Sequence, residues 1–376
     1  REDIGSINYR IEKARLARHA LTLGGRLAPG DADGDRLLLD RIAELERDYL
    51  AKTEVLERLH KEAGQEVLFL TLSTGRSVRL SLDQVLAVSR PNGMHWGEKL
   101  LAYVRNLWLF VSSEPREANT EGGIFPAIFG TVLMVFLMTV AVMPFGVMAA
   151  VYLREYAKQG LLVRLVRIAV NNLAGVPSIV FGVFGLAFFI YALGGTIDQL
   201  LFPESLPNPT FGTGGILWAS LTLALLTVPV VIVATEEGLS AVPRDFREGS
   251  IGLGATKFET IRHVILPCAL PGILTGLILA MARAAGEVAP LMLTGVVKLA
   301  PALPLDSYLP FLHLDRKFMH LGFHIYDVGF QSPNVEAAKP MVYMTTLILI
   351  LVVVLLNWTA VRLRNRLRKR FAASAV

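Results

Sequence analysis

The sequence predicts a mainly α-helical fold, a polytopic membrane helix bundle carrying a small N-terminal α+β domain. Two observations carry that expectation. The chain of 376 residues is 53% hydrophobic with mean hydropathy +0.49, and its apolar residues concentrate after position 123. Within that region the stretches 125–153, 168–193, 216–235, 272–297 and 341–361 are each long enough to cross about 30 Å of hydrocarbon at about 1.5 Å per residue. Residues 1–112 are charged and form a separate N-terminal region, with 113–376 as the membrane domain.

Taken in order, residues 1–62 read as helical, with Leu38, Ile42, Leu45, Tyr49, Lys52, Leu56 and Leu59 alternating four and three apart. That seam, broken only by Lys52, predicts a helical hairpin or a short coiled coil. Gly24, Gly25, Pro29 and Gly30 mark a turn. The acidic run Asp31, Asp33, Asp35 lacks the downstream glutamate of a calcium loop, so a solvated loop is expected. Between 66 and 88 the period changes: Val67 to Leu72, a Ser73-Thr74-Gly75 turn, and Val78, Leu80 and Leu82 predict a β-hairpin. Trp96 to Val111 then places Leu101, Val104, Leu107, Trp108 and Val111 on one stripe, for a helix lying in the membrane interface or against the soluble domain.

Internal Pro144, Pro177, Pro229 and Pro290 predict kinked spans, tolerated where neighbouring helices re-satisfy the freed carbonyls. The net charge of +5 does not point to nucleic acid, because the basic excess flanks the spans and fills the tail. Arg362, Arg364, Arg366, Arg368, Lys369 and Arg370 place the C-terminus in the cytoplasm, and the loop 194–215 contains no lysine or arginine. Counting back through the spans puts the 236–267 interval inside and residues 1–123 outside. A domain outside needs a span before it, so a further transmembrane segment is expected upstream of Arg1. The single cysteine, Cys268, cannot form an intrachain disulfide.

The 236–267 interval is polar yet helical in rhythm. Leu239, Val242, Phe246, Ser250 and Leu253 recur three and four apart, which predicts an amphipathic helix with Arg244, Arg247 and Glu248 outward. Gly254 stops it, a second short helix runs from Lys257 to Val264, and Pro267 opens the next apolar run. Gly249 and Gly254 have the spacing of a phosphate-binding loop. They are followed by Ala255 and Thr256 rather than Lys and Ser/Thr, with no strand before them, so the chain itself binds no nucleotide.

In the 272–297 span Arg283 and Glu287 lie four apart on one helix face. Charges at bilayer depth face protein or water rather than lipid. Either Arg283 meets a passing polyoxyanion while Glu287 holds the guanidinium, or the pair only fixes helix packing. Gly272, Gly276, Ala280 and Ala284 form a small-residue stripe for close helix contact. Asn171 and Asn172, with Gly175 and Pro177, open another span where amides could meet an anion or cap a helix. His320 and His324 stand four apart without an evident third metal ligand, which leaves contact with an external partner or a structural lid, and no metal site.

The chain also resembles a known family. Glu248, Gly249, Ser250, Gly254, Val264, Leu266 and Pro267 follow the E-A-A, three residues, G, nine residues, I-x-L-P pattern of type I ABC importer permeases, with Gly249 and Ser250 in place of two alanines. NNLAGVPSIVFGVFGL (171–186), TVPVVIVATEEGLSAVPRDFREGSIGLGATK (227–257), LPGILTGLILAMARAAGEVAPLMLTG (270–295) and NTEGG (119–123) are similar to PstA-type permeases of bacterial phosphate importers. That resemblance covers about residue 113 onward.

It implies the permease subunit of an ATP-driven phosphate importer in the bacterial inner membrane. The expected partners are a PstC-like sister permease, a PstB-like ATPase dimer that uses ATP and Mg, and a PstS-like periplasmic phosphate-binding protein. The loop of Arg244, Arg247, Glu248, Gly249, Ser250, Gly254, Ala255, Lys257, Leu266 and Pro267 would couple to the ATPase, with Arg283, Glu287 and Asn172 on the substrate path. The chain is then a transporter subunit, not an enzyme, and binds no cofactor. Members of the family commonly carry arginine where Val233 stands. The alternatives are a membrane-anchored docking protein signalling phosphate status, or a permease for another oxyanion.

Overall fold

The computed structural model describes residues 2–23, 32–71, 75–82, 85, 91–116, 119–307, 309–333 and 335–373. The expected turn at Gly24–Gly30, Asp31, and the hairpin residues Ser73 and Thr74 lie outside them. Contacts divide the chain into two units, Arg1–Val104 with Gln199–Asn208, and Arg105–Asp198 with Pro209–Val376.

In the first unit α1 (Glu2–Leu23) and α2 (Ala32–Gln65) form a helical hairpin around buried Ile7, Ile11 and Leu45, with Tyr49 against them. The α2 seam is therefore used within the chain, although Leu59 at its far end is exposed. Arg18 binds both carboxylate oxygens of Asp35, at 2.6 and 3.2 Å, and holds that carboxyl below its usual range. Asp35 is thus an ion-pair partner rather than a free loop acid. Strands β1 (Val67–Thr71) and β2 (Ser77–Ser81) pair antiparallel, with Val67 opposite Ser81. His19 Nδ1 donates to the Glu204 carbonyl at 2.6 Å, which brings the 199–208 segment into this unit. Helix α3 (Trp96–Ser112) leads out of it and buries none of its residues, with Trp96 90% and Trp108 69% exposed.

The second unit opens with the short pair β3 (Pro115–Arg116) and β4 (Glu121–Gly122). Helix α4 (Phe125–Val151) continues through a π turn to Tyr156. Next come the amphipathic α5 (Leu161–Leu173) and α6 (Ser178–Phe184), which runs through wide turns into α7 (Gly195–Leu201). Helices α8 (Ile216–Ser240), α9 (Arg244–Gly252) and α10 (Lys257–Thr260) follow, α10 passing without a break into α11 (Leu266–Gly286). The chain closes with α12 (Ala289–Thr294), α13 (Leu321–Tyr326) and α14 (Val335–Ala373).

Among the described residues, five helices are long and apolar enough to cross a membrane: Phe125–Tyr156, Ser178–Leu201, Ile216–Ser240, Lys257–Gly286 and Ala338–Arg366. Two of them correct the sequence expectation. The second span starts at Ser178, not Ile168, because Pro177 sits extended (φ −55°, ψ 135°) and cuts α5 off as a separate helix. The fourth starts at Lys257, not Gly272, and stops at Gly286, where Pro290 has no N–H to give its carbonyl. Pro144 and Pro229 lie inside helices as expected of kinks, whereas Pro177 and Pro290 mark helix starts.

The bundle core lies where α4, α8 and α11 meet, with Met134, Met138, Leu223, Val231, Leu277 and Ala280 buried together. Small residues allow the close approach. A Cβ on Gly272 would lie 2.6 Å from Gly238 Cα, and one on Gly276 would lie 2.5 Å from Ala234 Cβ, so the stripe on α11 faces α8 of the same chain. Buried hydroxyls in these helices return to their own backbone: Ser220 donates to Ile216 O, and Thr222 to Trp218 O, each at 2.7 Å.

One end of the bundle is closed by the 295–333 segment, in which Phe318 is fully buried. Lys298 Nζ and Asp327 Oδ2 lie 3.0 Å apart, and Asn119 Nδ2 donates to Lys298 O at 2.8 Å. His320 and His324 are buried, 0% and 2% exposed, so they belong to this packed cap and are not presented to an external partner. His320 Nδ1 accepts from Gly322 N, but neither ring nitrogen of His324 has a partner among the described residues.

Burial pushes the His320 imidazole down to about 3 and that of His324 to about 4. Unfolding lets both rings take up protons below about 6.5, so the unfolded state binds more protons between there and the depressed values. Stability is therefore expected to rise with pH, by up to about 1.4 kcal/mol per pH unit per histidine between about pH 4 and 6.5. Melting of the purified protein across that range checks it, and His324→Gln should flatten the slope.

Candidate functional site: a docking knob and an inner pocket

The polar interval between α8 and α11 folds into a rigid knob. Helix α8 ends at Ser240, and Pro243 caps α9 from an extended conformation. The one long amphipathic helix expected from Leu239 to Leu253 is thus divided at a turn. Gly254, at φ +90°, supplies the left-handed conformation that ends α9. Thr256 then starts α10 with a capping box: Glu259 N donates to Thr256 Oγ1 at 3.3 Å and Thr256 N to Glu259 Oε2 at 2.8 Å. Ser250 and Thr260 hydroxyls, 2.9 Å apart, tie the two helices together.

Helix α10 does not end at Val264. It widens into a π turn over Ile261–Ile265 and continues as α11. Pro267 and Pro271 have no N–H for the carbonyls of His263 and Pro267, and the wider turn accommodates that loss. Pro267 is therefore inside one continuous rod from Lys257 to Gly286.

Part of the sequence expectation for α9 is overturned: Arg244 and Glu248 face outward as expected, but Arg247 turns inward while Phe246 and Leu253 stand exposed. Leu239 and Val242 are buried, together with Ile261, Ile265, Ala269 and Ile273. Phe246, Ile251, Leu253 and Phe258 are exposed, at 47%, 56%, 92% and 60%. Arg247 turns inward, donating to Glu155 Oε1 at 2.6 Å and to Leu239 O at 2.8 Å. Arg244, Glu248 and Gly249 are exposed, Ala255 and Leu266 are half-buried, and Lys257 Nζ lies 5.0 Å from the Tyr156 ring centre. Glu155 and Tyr156, at the end of α4, thus pin the knob to the bundle.

Beside the knob's root, α4, α5 and α8 enclose a cavity of about 670 Å³, lined by Arg154, Arg167, Asn171, Val233, Glu236, Glu237 and Ser240 among others. Arg167 Nε donates to Glu236 Oε1 and its Nη1 to Gln159 Oε1, each at 3.1 Å. Asn171 lines this cavity and Asn172 does not. Asn172 is exposed near the end of α5, where its carbonyl accepts from Gly175 N at 3.0 Å, so the pair closes a helix rather than opening a span.

Arg283 and Glu287 lie elsewhere, at the far end of the Lys257–Gly286 rod. Arg283 Nε is 3.6 Å from Glu287 Oε1, with the side chains 37% and 20% exposed. Glu287 stands one residue past the helix, in extended conformation. Neither residue lines the cavity. Sequence reasoning missed Arg154, Arg167, Glu236 and Glu155 as site residues. The T-x-x-E box at Thr256 was readable, but nothing local signals that Arg247 pairs with a residue 92 positions away.

The class of protein that combines several membrane-capable helices with such a two-helix knob is given by the family match, a permease component of a transport system. The chain belongs to the family described as binding-protein-dependent transport system inner membrane component, whose model matches residues 142–369. It is 30% identical over 235 residues to the probable ABC transporter permease protein YqgI of Bacillus subtilis, covering 61% of this chain and 74% of that one. It is 39% identical over 171 residues to the phosphate transport system permease protein PstA 1 of Mycobacterium tuberculosis, covering 46% and 50%. The chain thus spans about half the length of that PstA relative. Among solved structures, a chain of the MetNI methionine ABC transporter is 20% identical, with a TM-score of 0.45, over 70% of this chain and 98% of that one.

Proposed function

We propose that this chain is the permease subunit of an ATP-driven phosphate importer, moving phosphate inward across the bacterial inner membrane. The observation that carries the coupling half of the reading is the knob. Four apolar side chains stand exposed on a pair of helices that is braced from behind by Arg247–Glu155, and an ATPase groove is the natural cover for them. Because α10 and α11 are one rod, a push on the knob moves Arg283 as well. The phosphate half rests on the printed names of the PstA relatives and on the arginines. With the basic tail inside, the knob and the 670 Å³ cavity lie at the cytoplasmic end, and residues 1–123 lie outside.

Arg283, held by Glu287, is the cation a phosphate would meet at the far end of the rod, and the inner cavity is the second station. Where related permeases commonly carry arginine, Val233 lines this cavity beside Arg154 and Arg167, with Glu236 and Glu237 also in its wall and Glu236 paired to Arg167. The partners proposed are a PstC-like permease, a PstB-like ATPase pair and a PstS-like binding protein. The exposed Trp96 and Trp108 of α3 suit a helix at headgroup depth.

Reconstituted uptake of labelled phosphate with these partners tests the reading. Arg283→Ala is expected to lower ATP-driven uptake by about tenfold or more, as expected for loss of a charge-assisted contact worth roughly 1.5–3 kcal/mol. Assembly should be intact. Full uptake by this variant removes Arg283 from the path. Phosphate binding without any uptake by the unmodified complex would favour a signalling protein, and uptake of a different oxyanion would change the substrate.

A further inference from the structure

We propose that the C-terminal helix carries a binding surface for anionic phospholipid headgroups, built from the continuation of its lipid-facing stripe. Helix α14 runs unbroken from Val335 to Ala373. Along it Tyr343, Leu347, Leu351, Leu355 and Trp358 recur at four- and three-residue steps and are exposed, at 70%, 58%, 49%, 49% and 52%. At helical spacing these residues share one face. The same register continues into Arg362 and Arg366, both exposed, and the sequence adds a lysine and an arginine at positions 369 and 370. No aspartate or glutamate follows Glu336.

The distances fit a bilayer. Tyr343 to Arg362 spans about 28 Å at about 1.5 Å per residue, close to the thickness of the hydrocarbon core of about 30 Å. The face changes from apolar to cationic where hydrocarbon gives way to headgroups, and an aromatic residue stands near each limit, as interfacial Tyr and Trp do. At the cationic limit the Arg362 guanidinium lies 3.8 Å from the Trp358 ring centre. Stacking of a guanidinium on a ring leaves its edge N–H groups free, which suits bidentate binding of a phosphodiester.

Arg364 shows that this is a surface and not merely a basic tail. It lies off the stripe and donates to Thr275 Oγ1 of α11 at 3.1 Å, anchoring the helix to the bundle. The basic sector therefore continues the face left free by that anchor. Its continuity with five exposed apolar and aromatic positions selects lipid over a soluble partner. The leaflet, though not the headgroup chemistry, rests on the inward orientation proposed above.

The test uses the full chain with its partner subunits in nanodiscs of phosphatidylcholine with or without phosphatidylglycerol, and native mass spectrometry of the lipids retained on release. The unmodified complex should retain phosphatidylglycerol in preference to phosphatidylcholine. A variant carrying Arg362→Gln, Arg366→Gln, Lys369→Gln and Arg370→Gln should lose that preference by about tenfold or more, since each basic group near an anionic surface contributes several-fold. Arg364→Gln should stay within about twofold, because its charge is off the surface, and added salt should weaken the preference. An unchanged preference in the fourfold variant overturns the proposal. So does an unchanged preference with loss of the ATPase subunit, which would make the sector a protein dock. A tail cysteine that reacts only from outside would refute the orientation and leave the headgroup surface standing.

Discussion

Replacing Phe246 and Leu253 together by aspartate is expected to leave the bundle folded while detaching the ATPase subunit. Both side chains stand in water, at 47% and 92% exposure, and neither belongs to a buried cluster, so folding loses little. They are the apolar anchors of the knob. Truncating or charging a central anchor of an interface costs about 2 kcal/mol or more, roughly thirtyfold in affinity for each. Beneath them Arg247–Glu155, with side chains 23% and 9% exposed, keeps α9 seated, so the loss should register in association and not in melting. Co-purification of the ATPase with the tagged chain, alongside a melting curve, measures both. A variant that retains the ATPase in full proportion and takes up phosphate normally would show that another surface does the docking.

Gly272→Leu is expected to have a comparable effect by the opposite route, through folding. The Cβ it adds would meet Gly238 Cα at 2.6 Å, and backbone cannot swing aside as a side chain can. Overpacking of this kind costs about 1–3 kcal/mol, and more where neither helix can move. Here α8 and α11 are both rooted in the knob, so separating them disturbs its base as well as the core. A Gly249→Ala control on the exposed face of α9, where an added Cβ meets nothing within 4 Å, should change stability by no more than about 0.5 kcal/mol. Yield and melting temperature of the two variants decide the matter. Equal stability would mean that α8 and α11 are not in close contact in the membrane.

Hydropathy joins 168–193 into one span with Pro177 as a kink, whereas the structure ends α5 at Leu173 and starts a new helix at Ser178, because Pro177 disfavours helical backbone at the residue before it. The spacing of Phe246, Ser250 and Leu253 predicts a side that faces a core. In this chain that side is open and Arg247 is turned under it. An amphipathic pattern records that a face will be covered, not whether the same chain covers it. Arg283 and Glu287 do meet, but not as two residues on one helix face: Glu287 stands past the end of α11 in extended conformation and its carboxylate reaches back to 3.6 Å from Arg283 Nε.

By itself the sequence determined what depends on neighbours along the chain: apolar runs long enough to span, the helical knob between α8 and α11, and Gly254 as its corner. Hydropathy, 3.6-residue periodicity and backbone sterics are local, so a single chain displays them. Only the tertiary structure decided what depends on residues far apart. It placed the Gly272 stripe against Gly238, joined Arg247 to Glu155 across 92 positions and Arg167 to Glu236 across 69, and gathered a cavity around Val233. Ion pairs and cavities form where helices happen to cross, and crossing is settled by the packing of whole faces, which no spacing along one helix encodes.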